Sequence, residues 1–494
     1  MTSPSVYSID AGMPFARELA MGMRQLAGSP ERLARGLILL PSRRAASALQ
    51  AAFLDSVAGA PMLLPRMLPV GDFGNDDDGR LSPFLGDDAG SDLPPPISKI
   101  RRQICLAKLL RHFPLGGQYP TQPQAMRLAD SLGQLLDQLY NADATADQLR
   151  DLLPDQFSAH WQDILTLLGI LIDRWPDILA QEGLLDVVDR RNRLLRRRAN
   201  QWRDQPPDQL IVIAGSTGSI AATRELIGVV ANLPDGHIVL PGLDRHAGDQ
   251  WQAICEDSGH PQYQLAQLLA YLEITPDQVE NWNGSTDAIP PELPARRDLM
   301  REVFRPAAIS EGWQRLGDAG PMIDRTALAG LKVITARDRR EEANLIALSL
   351  REALEKPNQT AAMITPDRQL AELVIADLRR WDIDIEDSAG KRLSLCPTGR
   401  FLSLLCDAVD ANFAPFRLLS LLKHPYCAGG MNPIQFRHFV DQIELAVLRG
   451  PRPGDGLPAI AAALDDAELR HFFETHVIAN LAALIDCWQA PNPT

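Results

Sequence analysis

Gly36-Leu37-Ile38-Leu39-Leu40-Pro41 is an unbroken apolar run between a glycine and a proline, followed at once by Ser42-Arg43-Arg44 and a helical pattern through residue 53. A short apolar run closed by turn residues reads as a strand buried on both faces. Working outward, Val6-Tyr7-Ser8-Ile9 is a second such run, ahead of an amphipathic stretch over 13–26. Far downstream the signal returns in Gln209-Leu210-Ile211-Val212-Ile213-Ala214, then Gly215-Ser216-Thr217-Gly218-Ser219, a helix through 230, and the strand His237-Ile238-Val239-Leu240. Strands that alternate with helices predict an α/β fold around a parallel sheet.

Between these parts, residues 97–202 carry the helical period, with one apolar stripe at Leu132, Leu135, Leu136 and Leu139 and another at Trp161, Leu165, Leu168 and Ile172. The helical block is therefore expected as an insertion into one α/β domain. A second α/β unit is predicted from strands at 331–335, 360–364 and 383–385 and helices at 340–354 and 369–381, with a second helical block over 398–488. The expected divisions are 1–96, 97–205, 206–320, 321–397 and 398–494. A turn-rich loop over 71–96, with Asp76-Asp77-Asp78 and Pro94-Pro95-Pro96, reads as solvated. This order resembles that of superfamily 1 helicases, with two RecA-like parallel sheets carrying large helical insertions.

Composition sets limits on function. A 494-residue chain with 45% hydrophobic and 23% charged residues can build several cores. It holds no apolar run long enough for a membrane span, and its start reads as no secretory signal. Six scattered cysteines without a CxxC predict reduced thiols in the cytoplasm, with no disulfide frame and no metal site. A net charge of −14 argues against coating duplex DNA by bulk electrostatics. Contact with DNA would have to come from particular arginines.

A nucleotide-binding P-loop needs G-x-x-x-x-G-K-[ST] between a strand and a helix. After the first strand stands Ile9-Asp10-Ala11-Gly12-Met13-Pro14-Phe15, with one glycine, no lysine, and a proline where backbone donors are wanted. Tight Mg-ATP binding is not expected there. The loop 215–219 reads first as a tight turn whose Ser219 caps the next helix, and alternatively as a phosphate cradle through Ser216, Thr217 and Ser219. Arg43 and Arg44 sit where parallel sheets bind ligands, at the C-terminal end of a strand. Arg190, Arg191, Arg193, Arg196, Arg197 and Arg198 share a predicted helix with Asp186 and Asp189 ahead of them, which fits a salt-bridged face or a DNA-facing stripe. Asp382, Asp384, Glu386 and Asp387 alternate like nuclease carboxylates but read as an exposed strand edge or turn with only Lys391 nearby. No catalytic set emerges.

Several strings resemble the double-strand break repair protein AddB of the alphaproteobacterial type. They are Leu39-Leu40-Pro41-Ser42-Arg43-Arg44-Ala45-Ala46, His160-Trp161-Gln162, Asp189-Arg190-Arg191-Asn192, Ile213-Ala214-Gly215-Ser216-Thr217-Gly218-Ser219 and Val239-Leu240-Pro241-Gly242-Leu243-Asp244. His260-Pro261-Gln262-Tyr263, Arg340-Glu341-Glu342-Ala343, Thr365-Pro366-Asp367-Arg368, Asp387-Ser388-Ala389-Gly390, 419–425 and Leu448-Arg449-Gly450 follow in order.

The resemblance implies a non-motor subunit that handles single-stranded DNA or duplex ends beside an AddA-like helicase–nuclease in double-strand break repair. With the residue readings above, Arg43, Arg44, Ser216, Thr217, Ser219, Arg190 and Arg191 are the candidate DNA contacts. The family's nuclease domain, with its divalent metal and often an iron–sulphur cluster, finds no counterpart in these 494 residues. No cofactor and no membrane partner are therefore expected, and the chain reads as an N-terminal portion that would be poorly stable alone. An active helicase and a scaffold that never touches DNA are the alternatives.

Overall fold

The computed structural model describes all residues except 1–3, 58–59, 73–92, 115–117, 145–147, 149–173, 283–289, 291, 316–323, 358, 452, 455 and 490–494. The chain divides into two compact units, Met1–Lys332 and Val333–Thr494. The acidic run 76–78, the string 160–162 and the stripe 161–172 lie outside the described residues.

The first unit is α/β. Six strands, β1 (Val6–Ile9), β2 (Leu37–Leu40), β3 (Arg66–Pro69), β4 (Ile211–Ala214), β5 (Gly236–Pro241) and β6 (Glu280–Asn281), form one sheet in the order β3-β2-β4-β5-β1-β6. Every pairing is parallel. The four runs expected as strands all enter this sheet. β3 and β6 carry too little apolar signal to announce themselves.

Alternation along the strands feeds two cores. Leu37, Leu39, Ile211, Ile213, Ile238 and Leu240 face one way, and Ile38, Leu40, Val212, Ala214 and Val239 face the other. The second face is covered by α1 (Phe15–Ala27) and α3 (Arg43–Asp55) through Leu19, Met23, Leu49 and Phe53; α2 (Pro30–Arg35) lies between them in the chain.

Between β3 and β4 the chain makes the expected helical excursion. It includes α4 (Lys99–Leu110), α5 (Gln122–Ala142) and α6 (Val187–Asp204). Leu132 and Leu136 are buried against Leu106, Leu110 and Trp175, as the stripe predicts. β4 then returns to pair with β2, so the block is an insertion. Its last helix belongs to the sheet, because Leu194, Leu195, Ala199 and Trp202 join the sheet's own core. A division at residue 205 therefore falls behind a helix that the α/β layer has already claimed. Asp186, fully buried, ties this helix to the insertion: it forms an ion pair with Arg102 at 2.9 Å, accepts from Trp175 Nε1 at 3.1 Å and caps Val188 N at 3.1 Å. After β4 come α7 (Ala221–Ala231), α8 (Trp251–Glu256), α9 (Tyr263–Tyr271) and α10 (Glu292–Val303).

The second unit departs from expectation. Its helices α11 (Arg339–Leu354) and α12 (Arg368–Arg379) form where predicted and pack through Ala343, Ala347, Leu370, Val374 and Leu378. No strand forms at 331–335, 360–364 or 383–385, so the described residues hold one parallel sheet and not two. A strand is stable only with hydrogen-bonded neighbours, and these runs have none: Val333 and Ile364 are 96% and 97% exposed. The described residues from Pro397 to Gln489 are mainly helical, as expected, around a core that includes Phe436, Val440, Ile443 and Phe473. No described helix is long and apolar enough to cross a membrane.

Candidate nucleic-acid interface

Two loops predicted separately meet at the C-terminal edge of the sheet. β2 and β4 are paired neighbours, with Leu39 opposite Ile213. Pro41 follows β2, and Ser42 caps α3 by accepting from Ala45 N at 3.2 Å. This places Arg43 and Arg44 in the first helical turn, both exposed, with no acidic residue there.

β4 ends in Gly215, whose φ of +75° only glycine adopts readily. A side chain there would stand 3.6 Å from Pro41 Cδ and 3.5 Å from Phe15 Cε1, so the two strand ends and the start of α1 converge. Ser216 and Thr217 are half-buried and Ser219 is exposed. Gly218 also takes positive φ, its N–H donates to Ser216 Oγ at 3.4 Å, and its carbonyl accepts from Arg224 Nε at 3.1 Å. The tight turn is as expected. The capping role of Ser219 is not: the cap position is Ile220, which supplies no side-chain bond.

Arg190 and Arg191 are not brought to this edge by their bonds. Arg190 Nε donates to the Pro94 carbonyl at 3.2 Å. Arg191 donates to Asn141 and Asn192, and Asn192 in turn donates to the Tyr140 carbonyl at 2.7 Å. Burial depresses the Arg191 pKa from its ordinary value. Together these bonds fasten α6 to the segment before α4 and to the end of α5. The salt-bridged face is present in part, as Arg193–Asp189 at 2.9 Å and Arg196 with Asp143 and Glu225 at 2.9 Å each. Asp186 pairs with Arg102 and not with that arginine stripe.

The loop after β1 has become something other than a phosphate cradle. Asp10 stands at its start and accepts from Arg245 Nη2 at 3.4 Å and Arg297 Nη1 at 3.3 Å. Pro14 occupies the cap of α1 and donates nothing. Gly12, at φ +91°, lies directly beneath Leu293 of α10: a Cβ there would meet Leu293 Cδ2 at 2.7 Å. Asp10, paired with two arginines, and Leu293 thus border this loop, where a P-loop would present a lysine and backbone amides.

Nearby, Asp244 receives Arg301 through two bonds of 2.7 and 2.9 Å. Burial alone would raise the Asp244 carboxyl, but the Arg301 pair and the His246 N–H hold it below the ordinary carboxylate range. Sequence reading missed Asp10, Arg245, Arg297 and Arg301, because their partners lie 57 to 287 residues away.

The rejected carboxylates stay rejected. Asp387 is engaged by Arg368 through two bonds of 2.9 and 2.8 Å, and no strand aligns it with Asp382 and Asp384. No group of three metal-ligating side chains exists among the described residues. Comparison of the chain with family models and with curated protein sequences finds no match.

Proposed function

We propose that this chain is a non-motor, DNA-handling subunit of an AddAB-type helicase–nuclease, on a superfamily 1-like plan, acting in the cytoplasm beside an AddA-like motor. The observation that carries the reading is that Pro41 and Gly215 come together at the ends of adjacent strands, so that the segments carrying Arg43 and Arg44 and carrying Ser216, Thr217 and Ser219 leave the same sheet edge. Guanidinium groups, hydroxyls and helix N-terminal amides on one sheet edge are the donors that fix a sugar–phosphate backbone. A chain with net charge −14 needs such a localised group, since its overall field repels DNA.

The non-motor part of the reading draws on the β1 loop. That loop holds no lysine to receive a β- or γ-phosphate, and Pro14 offers no backbone donor there. The test is fluorescence anisotropy of the full chain with a single-stranded oligonucleotide, alone and with its AddA-like partner, together with DNA-stimulated ATP turnover. The expected result is salt-sensitive DNA binding, lost in step with Arg43→Ala and Arg44→Ala, and no ATP turnover by the chain alone. ATP turnover at helicase rates would overturn the non-motor reading. DNA binding indifferent to both arginines would overturn the interface.

A further inference from the structure

A cavity of about 330 Å³ opens at the C-terminal ends of β1 and β5, under α10. Parallel sheets open a ligand crevice where adjacent strands send their connections in opposite directions. β1 continues to β2, beyond β5 and β4, whereas β5 continues to β6 on the far side of β1. The cavity sits at that point, floored by the glycine turns at Gly12 and Gly242.

Its roof is unusual in how it is held. α10 has no buried residue, so it is not seated by a sealed apolar face. Ion pairs anchor it: Arg297 to Asp10 at 3.3 Å and Arg301 to Asp244 at 2.7 Å. Arg296 adds bonds to the carbonyls of Ala327, at 3.1 Å, and Ala329. Leu293, Met300 and Phe304 then face the space, joined from below by Ile254. Phe304 meets His260 edge-on, with ring centroids 6.5 Å apart. The result is an apolar chamber with three arginines in its lining, Arg296, Arg297 and Arg301, and one lining carboxylate, Asp244. Apolar walls with a few convergent polar groups describe a small-molecule site. Arg297 and Arg301 are matched by Asp10 and Asp244, while Arg296 is held by carbonyls, which leaves one guanidinium in excess and favours an anionic ligand.

We propose that this cavity binds a small planar aromatic ligand carrying one anionic group, with the ring among Met300, Phe304 and Ile254 and the anion at Arg297. Asp10 serves Arg297 and Arg245 as an internal anion, and the ligand competes with it. Two sources share this chemistry, a nucleoside monophosphate and an aromatic carboxylate. The site is separate from the β2–β4 edge, so its fate does not depend on the DNA-handling reading.

Isothermal titration of the full chain tests it with deoxyadenosine monophosphate and indole-3-acetate, each beside its neutral counterpart, deoxyadenosine and indole-3-acetamide. One anionic probe should bind at one site per chain, at least tenfold tighter than its neutral counterpart, and which probe binds identifies the source. Asp10→Asn should tighten that binding severalfold, a gain that misfolding does not produce. Met300→Trp should abolish it by filling the ring space. The proposal is overturned if neither anionic probe binds at millimolar concentration to the natural chain or to Asp10→Asn. Equal binding of charged and neutral probes, or binding untouched by both substitutions, overturns it too.

Discussion

Residues 36–41 and 360–364 are both short apolar runs leading to a helix, yet only the first becomes a strand. Ile38 is fully buried in β2, with β3 paired on one side and β4 on the other, whereas Ile364 is 97% exposed. The helices that follow both runs form as expected. The difference teaches that a helix carries its own hydrogen bonds while a strand borrows them from neighbours. An apolar run states a willingness to be a strand. The partner decides.

Proline is the sharpest instrument against that comparison, since it removes a ladder donor and fits no central strand. Leu39→Pro should prevent the first unit from folding, a loss above the roughly 3 kcal/mol of a proline inside a helix. Ala362→Pro should leave urea unfolding nearly unchanged, because no ladder passes through residue 362. Comparable damage from both would mean that 360–364 is paired after all. A matched pair of truncations comes next in size. Ile38→Ala should cost about 3 kcal/mol as a cavity in a closed core, and Ile364→Ala less than about 0.5 kcal/mol as a surface change. Denaturant midpoints at constant slope would read both.

The same logic explains which strands were legible in the sequence. β1, β2, β4 and β5 are apolar runs at sheet positions with a neighbour on each side, so burial on both faces marks them. β3 shows only Met67 and Leu68 between Arg66 and Pro69, and β6 is the exposed edge pair Glu280–Asn281. Edge strands need less apolar surface and so leave less trace.

At the interface, Arg43, Arg44 and the 215–219 glycines were readable from local rules for strand ends and tight turns. Their adjacency was not, because it rests on a pairing of β2 with β4 across the whole helical insertion. The Asp10, Arg245 and Arg297 cluster was invisible for the same reason, made by contacts 235 and 287 residues apart. Arg190 and Arg191 are a different case: their sequence fits a salt-bridged face or a DNA-facing stripe, and their bonds to Pro94, Asn141 and Asn192 fasten α6 to its neighbours.

A third test moves from the sheet to the two arginine pairs. Arg43→Ala with Arg44→Ala should weaken single-strand binding about tenfold, roughly 1.4 kcal/mol, and reduce the salt slope by about 0.7 for each phosphate no longer neutralised. Arg190→Ala should leave the slope unchanged and act on stability instead. If the two sites exchange these effects, the binding surface lies on α6 and not on the sheet edge.

The smallest expected effect concerns acid, and it separates the roof from the sheet beneath it. His260 lies below its ordinary pKa, first because burial penalises its charged form, against the opposing pull of Asp257. Asp244 is likewise depressed, through Arg301 and the His246 N–H outweighing burial. A depressed folded pKa means that the unfolded chain binds the proton more readily, so stability is lost as pH falls. For His260 the loss begins near the ordinary histidine value of 6.5, and for Asp244 below the ordinary aspartate value of 3.8. Stability against urea should therefore decline in two acid steps, each no more than about 1 kcal/mol given the partial exposure of both groups. His260→Asn should diminish the upper step and leave the lower. Arg301→Met should erase the lower step, because Asp244 then keeps its burial and loses its partner, and its pKa rises. An unaltered lower step in Arg301→Met would show that the ion pairs of α10 do not hold the roof in place.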